Sequence, residues 1–346
     1  MARESRGFSI VELMVALVLG AGVTLGIISM FSNTQESGAV VQGQARVQDN
    51  ARYAIDFVGR SLRMSGFLGC VSRPDALRSA LNGEFDNVPF SAAMQLLTQG
   101  FDGGDGGAPA WSPDLTTMPR LVAGTANADL VAPGTDVLVV RQVASESRLA
   151  VAQVNSTSNL TMRMPAVPAD FAVGDFALVS DCTKATLFQI TGAAAAGGNY
   201  VLQHGAGGAA APGNATASLP GFNEAASVYG TDASVFNVRT TVYYVAPGAG
   251  TNNRDDAPMS LWRKIGDDAA VELVEGVRDM EVTYGVDTDD DGTPNRYLAP
   301  NLVVDPDTIV TVRVRFTTDS VDEVPGGDGV ITRDFETTVA VRNRLS

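Results

Sequence analysis

The sequence predicts an α+β protein in which one long N-terminal helix packs on a large antiparallel, β-rich head. Three observations lead there. Residues 8–31 form an apolar run with a single charge, Glu12. Residues 40–62 carry apolar side chains at helical spacing. Beyond about residue 70 the chain breaks into short alternating runs separated by turn residues, in a composition with 36 glycines.

The apolar run, FSIVELMVALVLGAGVTLGIISMF, has 24 residues. As a helix it is about 36 Å long, enough to cross a bilayer. Arg3 and Arg6 precede it, and the next basic residue is Arg46. The positive-inside rule therefore predicts a cytoplasmic N terminus and an external head. An ordinary signal peptide is cut after its apolar stretch. Here a carboxylate sits near the start of that stretch, where it costs about 2.5–3.5 kcal/mol in hydrocarbon. Such a cost marks Glu12 as functional; the bland alternative is a signal anchor that tolerates an interfacial acid. Gly22 and Gly26 form a GxxxG pair that permits close helix approach.

Val40, Val47, Ala51, Ala54, Val58 and Leu62 continue as one apolar stripe between polar residues. The pattern predicts a helix to about Met64, ended by Gly66 and Gly69, with a break near 32–43 at Gly38 and Gly43. Strands are predicted at Asp136–Val143, Leu149–Val154, Leu160–Met164, Phe176–Ser180, Thr186–Thr191, Phe236–Val245, Val277–Val286, Ile309–Thr317 and Phe335–Arg342. The Ala/Gly-rich stretch 192–221 reads as an insert or loop. The domain plan is a leader (1–7), an apolar helix (8–31), an amphipathic helix (32–68) and the head (69–346).

The formal net charge of −15 repels phosphate backbones, which argues against nucleic-acid binding. Cys70 and Cys182 are the only cysteines and His204 the only histidine, too few for a tetrahedral zinc site. An external head makes a Cys70–Cys182 disulfide the simpler reading, worth about 4–5 kcal/mol by chain entropy. Two unrelated buried thiols are the alternative. His204 has no nucleophile elbow nearby, and the glycine runs lack a P-loop lysine. No catalytic residue is assigned, and the expectation is a protein that is not an enzyme.

The string RGFSIVELMVALVL (residues 6–19) closely resembles the class III signal of type IV prepilins and type II secretion pseudopilins. The resemblance implies cleavage by prepilin peptidase between Gly7 and Phe8, N-methylation of Phe8, and an assembly role for Glu12. Cleavage removes Arg3, Glu4 and Arg6, a net +1, taking the formal charge from −15 to −16. It also creates an α-amino group that needs a partner in low dielectric, and Glu12 of a neighbouring subunit can supply one. GTDVLVVR (134–141), VEGVRDMEVTYGVDTDDDGTPNRY (274–297), VTVRVRF (310–316) and FETTVAVRNR (335–344) resemble PilW-type minor pilins. J-type pseudopilins of type II secretion are the close second. The implied fold is a pilin-like head on the assembly helix. The implied partners are prepilin peptidase, other minor pilins, the major pilin and the inner membrane, with the fibre or cell surface as destination. A tip adhesin is a further reading.

Asp287, Asp289, Asp291, Thr293 and Asn295 lie in DTDDDGTPN, the alternate-carboxylate pattern of the first half of an EF-hand loop. Three Asp side chains, the Thr293 carbonyl and Asn295 are the expected calcium ligands. The twelfth loop position is Leu298 instead of the bidentate Glu, so Asp305 or Asp307 would have to complete the shell. An acidic surface turn is the alternative.

Overall fold

The computed structural model describes residues 9–65, 67, 71, 76–82, 84–85, 88–89, 98–103, 111–112, 131–143, 148–149, 159–162, 171–208, 212–219, 229–266, 268–324 and 329–341. Its first element, helix α1, runs unbroken over Ile10–Met64. At 1.5 Å per residue its 55 residues extend about 80 Å. Ser9 precedes it in extended conformation, and the Ser9 carbonyl accepts the Leu13 N–H. Glu12 lies in the first turn, where the helix dipole favours an acid. Ser65, one residue before Gly66, turns extended and stops the helix, its hydroxyl donating to the Leu62 carbonyl at 2.6 Å.

The break expected near 32–43 is absent. Gly43 serves packing instead: a Cβ there would sit 3.2 Å from Ile331 Cδ1 and 3.2 Å from Ser320 Cβ. The helix therefore needs a small residue where the head closes on it. From that point Val47, Ala51, Ala54, Val58 and Leu62 are buried, the predicted stripe. Burying one Val or Leu fully contributes about 1.5–3 kcal/mol, so the stripe is a substantial attachment.

The head is built on two sheets. The spine of the larger is Ser234–Pro247, 14 residues long. Along one edge it pairs with Phe176–Asp181 and then Met259–Ile265; along the other, with Val137–Val143 and Arg148–Leu149. Lys184–Gln189 and Val271–Glu275 extend it outward, and Leu77–Ser79 adds a parallel strand. The second sheet, nearer the C terminus, is antiparallel in the order Arg296–Leu298, Val277–Val286, Ile309–Asp319, Thr332–Ala340. Its inner face carries Met280, Val282, Tyr284, Val312, Val314 and Phe316, all buried. These join Leu138, Val140, Tyr243 and Leu261 of the large sheet and Ala54, Val58 and Leu62 of the helix in one core. The helix thus lies where the two sheets meet.

The Ala/Gly-rich stretch is not simply a loop. Gly192–Ala196 and Asn199–Gln203 form a hairpin whose turn, Gly197–Gly198, has positive φ at both residues. It pairs with Asn159–Met162 over a separate core that includes Phe171, Tyr200 and Leu202. Several strands escaped the sequence reading, among them Leu77–Ser79 and Thr98–Phe101 in the stretch expected to be loop-rich, Arg296–Leu298, and two that extend the large sheet beyond the spine. Met259–Ile265 and Val271–Glu275 lack clean alternation, and a register shift falls between Leu261 and Trp262.

Candidate functional site

The apolar part of α1 touches nothing else in the described chain. An 18-residue window within α1 has a mean hydropathy of 2.3, and none of it is buried against the head. Ile10, Val11, Leu13 and Met14, flanking Glu12, are exposed, as are residues out to Phe31. A Cβ added at Gly20, Gly22 or Gly26 would meet nothing within 4 Å. Thr24, Ser29 and Thr34 turn their hydroxyls back onto helix carbonyls, so they present little polarity outward. Such a surface requires lipid or other apolar chains around it. Glu12 is the one carboxylate within it. Gly7 and Phe8 lie outside the described residues.

The opposite end of the helix is fastened by polar contacts as well as by the stripe. Arg46 pairs with Asp322 at 2.9 Å, Asn50 Nδ2 donates to the Glu275 carbonyl at 2.7 Å, and Ser61 shares a hydrogen bond with the Tyr243 hydroxyl at 2.6 Å. The Arg46 pair is half exposed and contributes little by itself. The Ser61–Tyr243 contact is buried and fixes the rotation of the helix against the large sheet.

The acidic motif forms the hairpin loop between Val277–Val286 and Arg296–Leu298. Ligand atoms of Asp287, Asp289 and Asp291 all lie within 4.8 Å of one another. Asp287 is buried, and it organises the loop. Its Oδ1 accepts the N–H groups of Asp289 at 3.1 Å and Asp290 at 2.8 Å, and its Oδ2 accepts that of Gly292 at 2.7 Å. Desolvation raises its pKa, but the Gly292, Asp290 and Asp289 N–H bonds outweigh it and hold the carboxyl below the ordinary range. Asp290 and Gly292 adopt positive φ, which turns the chain around that carboxylate. Asn295 closes the loop: its Nδ2 donates to Asp289 Oδ1 at 3.0 Å, and its Oδ1 accepts Thr288 N–H at 2.6 Å and the Thr288 hydroxyl at 3.0 Å. Asp291 Oδ1 accepts the Thr293 N–H at 2.8 Å. Asp289 and Asp291 thus leave exposed carboxylates beside that of Asp287, a group that could hold a metal ion, while Asp287 and Asn295 hold the frame. Asp305 is not part of this cluster, and the side chain of Asp307 lies outside the described residues.

Cys182 sits in the turn after Phe176–Asp181 and is disulfide-bonded; Cys70, its expected partner, lies outside the described residues. His204 is fully buried, with its ring 5.2 Å from that of Phe188. Burial lowers its pKa and keeps it neutral, consistent with a packing role.

Asp136 escaped the sequence reading as a site. It is buried where the two sheets join: Oδ1 accepts the Gly103 N–H at 2.9 Å, Oδ2 the Val282 N–H at 2.8 Å, and its own N–H donates to the Met280 carbonyl at 2.8 Å. Burial pushes its carboxyl up to about 6, against the two N–H bonds, with Asp102 and Glu281 adding to the rise. The one sequence signal was an acid immediately before the apolar run Val137–Val140.

Residues 242–328 match the model of a family described as type IV pilus-assembly protein W. No curated protein and no solved structure matches the chain. The matched stretch runs from the second half of the spine strand through Ile309–Asp319, and it includes the acidic loop and Tyr243, Glu275 and Asp322, which hold the helix. In this stretch, which forms part of the head that grips the unburied apolar helix, the chain is similar to a family of type IV pilus assembly.

Proposed function

We propose that this protein is a minor type IV pilin with a structural, non-enzymatic role. One observation carries the reading: a single continuous helix is gripped by the head over Val47–Leu62 and leaves its apolar half without an intramolecular partner among the described residues. A head on such a stalk can leave a membrane and enter a helical bundle without refolding. The match to a pilus-assembly family supports the same machine.

In this reading prepilin peptidase cuts between Gly7 and Phe8, Phe8 is N-methylated, and the new amine meets Glu12 of an adjoining subunit. The protein starts in the inner membrane with its head in the periplasm. It then joins other minor pilins and the major pilin in a priming or tip complex. Cys70 and Cys182 form one disulfide, and the 287–295 loop takes calcium as a structural ion.

The test is mass spectrometry of the chain recovered from sheared pili, alongside a Gly7→Val variant. Methylated Phe8 at the N terminus of the wild type, and uncut variant retained in the membrane, are expected. An intact Met1 in assembled fibres, or unaltered pili after deletion of the gene, overturns the reading.

A further inference from the structure

We infer that the outer edge of strand Thr332–Ala340 is a docking site for an extended segment of another polypeptide that alternates apolar and basic residues. The strand is the last of its sheet, and among the described residues nothing pairs with its far side. Edge strands of folded proteins are usually blunted by proline, bulges or charged side chains. This one has no proline and no bulge: its nine residues, TRDFETTVA, pair with Ile309–Asp319 in unbroken register, and its protection is limited to the charges of Arg333, Asp334 and Glu336. An edge strand leaves alternate N–H and C=O groups directed outward, a ready template for strand addition.

The charge order across the solvent face specifies the occupant. Asp279, Thr317 and Asp334 form one cross-strand row, and Glu281, Arg315 and Glu336 the next. Reading outward, the strands are acidic, basic, then acidic. The basic strand is already committed on both sides: Arg315 bonds Glu281, while Arg313 lies over the Tyr297 ring and pairs with Glu336 at 3.3 Å. The strands on either side bring Asp279, Glu281, Asp334 and Glu336 against Arg313 and Arg315 of the central one, so the face carries a surplus of negative charge. A further strand continues the alternation if it brings Lys or Arg opposite Asp334 and Glu336.

The inner face of the strand carries half-buried Phe335 and buried Val339, which sets the apolar half of the pattern. Beside it, a groove of about 820 Å³ between the strand and α1 is lined mostly by polar and charged side chains, Arg52 and Arg333 among them, with Ile55 and Phe335 as apolar contacts. Inward side chains of an added strand would cover Phe335 and Ile55. The central strand of the same sheet, Ile309–Asp319, already shows this pattern: Val312 and Val314 are buried in the core, and Arg315 lies between Glu281 and Glu336.

The experiment titrates the full chain in detergent micelles into a labelled synthetic peptide of sequence VTVRVRF, with VTVEVEF as control. Fluorescence anisotropy gives affinity, and hydrogen exchange reports residues 332–340. Saturable binding is expected, about tenfold weaker for the acidic peptide, with slowed exchange at alternate residues of the edge. The double variant Asp334→Lys, Glu336→Lys, verified as folded by circular dichroism, should reverse the preference. Thr337→Pro and Thr338→Pro bracket the backbone requirement: the one whose N–H faces outward should keep the fold and lose the peptide. Equal affinity for both peptides, no saturable binding, or binding that leaves exchange at 332–340 unchanged overturns the proposal. Protection of the same residues that rises with protein concentration in the absence of peptide also overturns it, assigning the edge to a second copy of this chain.

Discussion

The carboxylate of Asp136 accepts the backbone N–H of Val282 at 2.8 Å, although the two residues are 146 positions apart. The same carboxylate accepts the Gly103 N–H, so a single buried acid ties three segments together where the sheets meet. Its carboxyl, raised to about 6 by burial, makes this joint sensitive to pH. Between the ordinary carboxyl value of 3.8 and about 6, the folded chain binds more protons at this site than the unfolded chain. The stability it contributes is therefore complete in acid and declines as pH rises through that window, by about 3 kcal/mol for one such group. Melting of the wild type against Asp136→Asn across pH 4–7 should show a stability difference that shrinks as pH rises. The variant itself is destabilised by about 1–3 kcal/mol, because an amide N–H₂ faces a backbone donor. A difference that grows with pH contradicts the assignment.

Glu12 lies on a helix face with no partner in the described chain. Replacing it by Ala removes an acid from hydrocarbon, so membrane insertion should be unchanged or improved by about 2–3 kcal/mol. Incorporation into fibres should fall sharply if Glu12 makes the proposed axial contact. Immunoblots of membrane and sheared-pilus fractions separate the two effects. Wild-type incorporation removes Glu12 from the assembly contact.

The acidic loop should respond to calcium through Asp289 and Asp291 and to mutation most strongly through Asp287. Asp289→Asn with Asp291→Asn keeps the side-chain oxygens that accept from Asn295 and Thr293 and removes two charges. The wild type should bind calcium in the micromolar-to-millimolar range and melt at a higher temperature with it, and the double variant should lose both effects. Asp287→Ala strands the N–H groups of Asp289, Asp290 and Gly292, so it should loosen the loop with or without calcium. Calorimetry showing no heat up to several millimolar calcium leaves a hydrogen-bonded acidic turn.

The bridge of Cys182 to Cys70 would tie the sequence just after α1 to the turn following Phe176–Asp181. Non-reducing peptide mapping should recover Cys70 linked to Cys182. Reduction should lower stability by about 4–5 kcal/mol in the chain-entropy account. Recovery of both residues as alkylated free thiols from periplasmic material contradicts the pairing.

The sequence by itself determined the parts whose physics is local. Hydropathy placed the apolar run, the recurrence of Val47, Ala51, Ala54, Val58 and Leu62 placed the buried stripe, and clean alternation located Ile309–Asp319 to within two residues. The spacing of Asp287, Asp289 and Asp291 around Gly292 was enough to anticipate their convergence, because a tight turn is encoded within nine residues. Tertiary structure decided the rest. Gly43 reads as a helix breaker by propensity, yet it lies within a continuous helix because Ile331 and Ser320 crowd that surface. Met259–Ile265 became a strand through its pairing with the spine, not through its own pattern. Asp136 acquired its raised carboxyl from burial where the sheets join, against the N–H bonds of Val282 and Gly103, and Thr332–Ala340 its open edge from the order of the sheet. Periodicity reports which way a side chain points along its own element. It carries no information about which distant segment arrives opposite, and burial, pairing and free edges all depend on that.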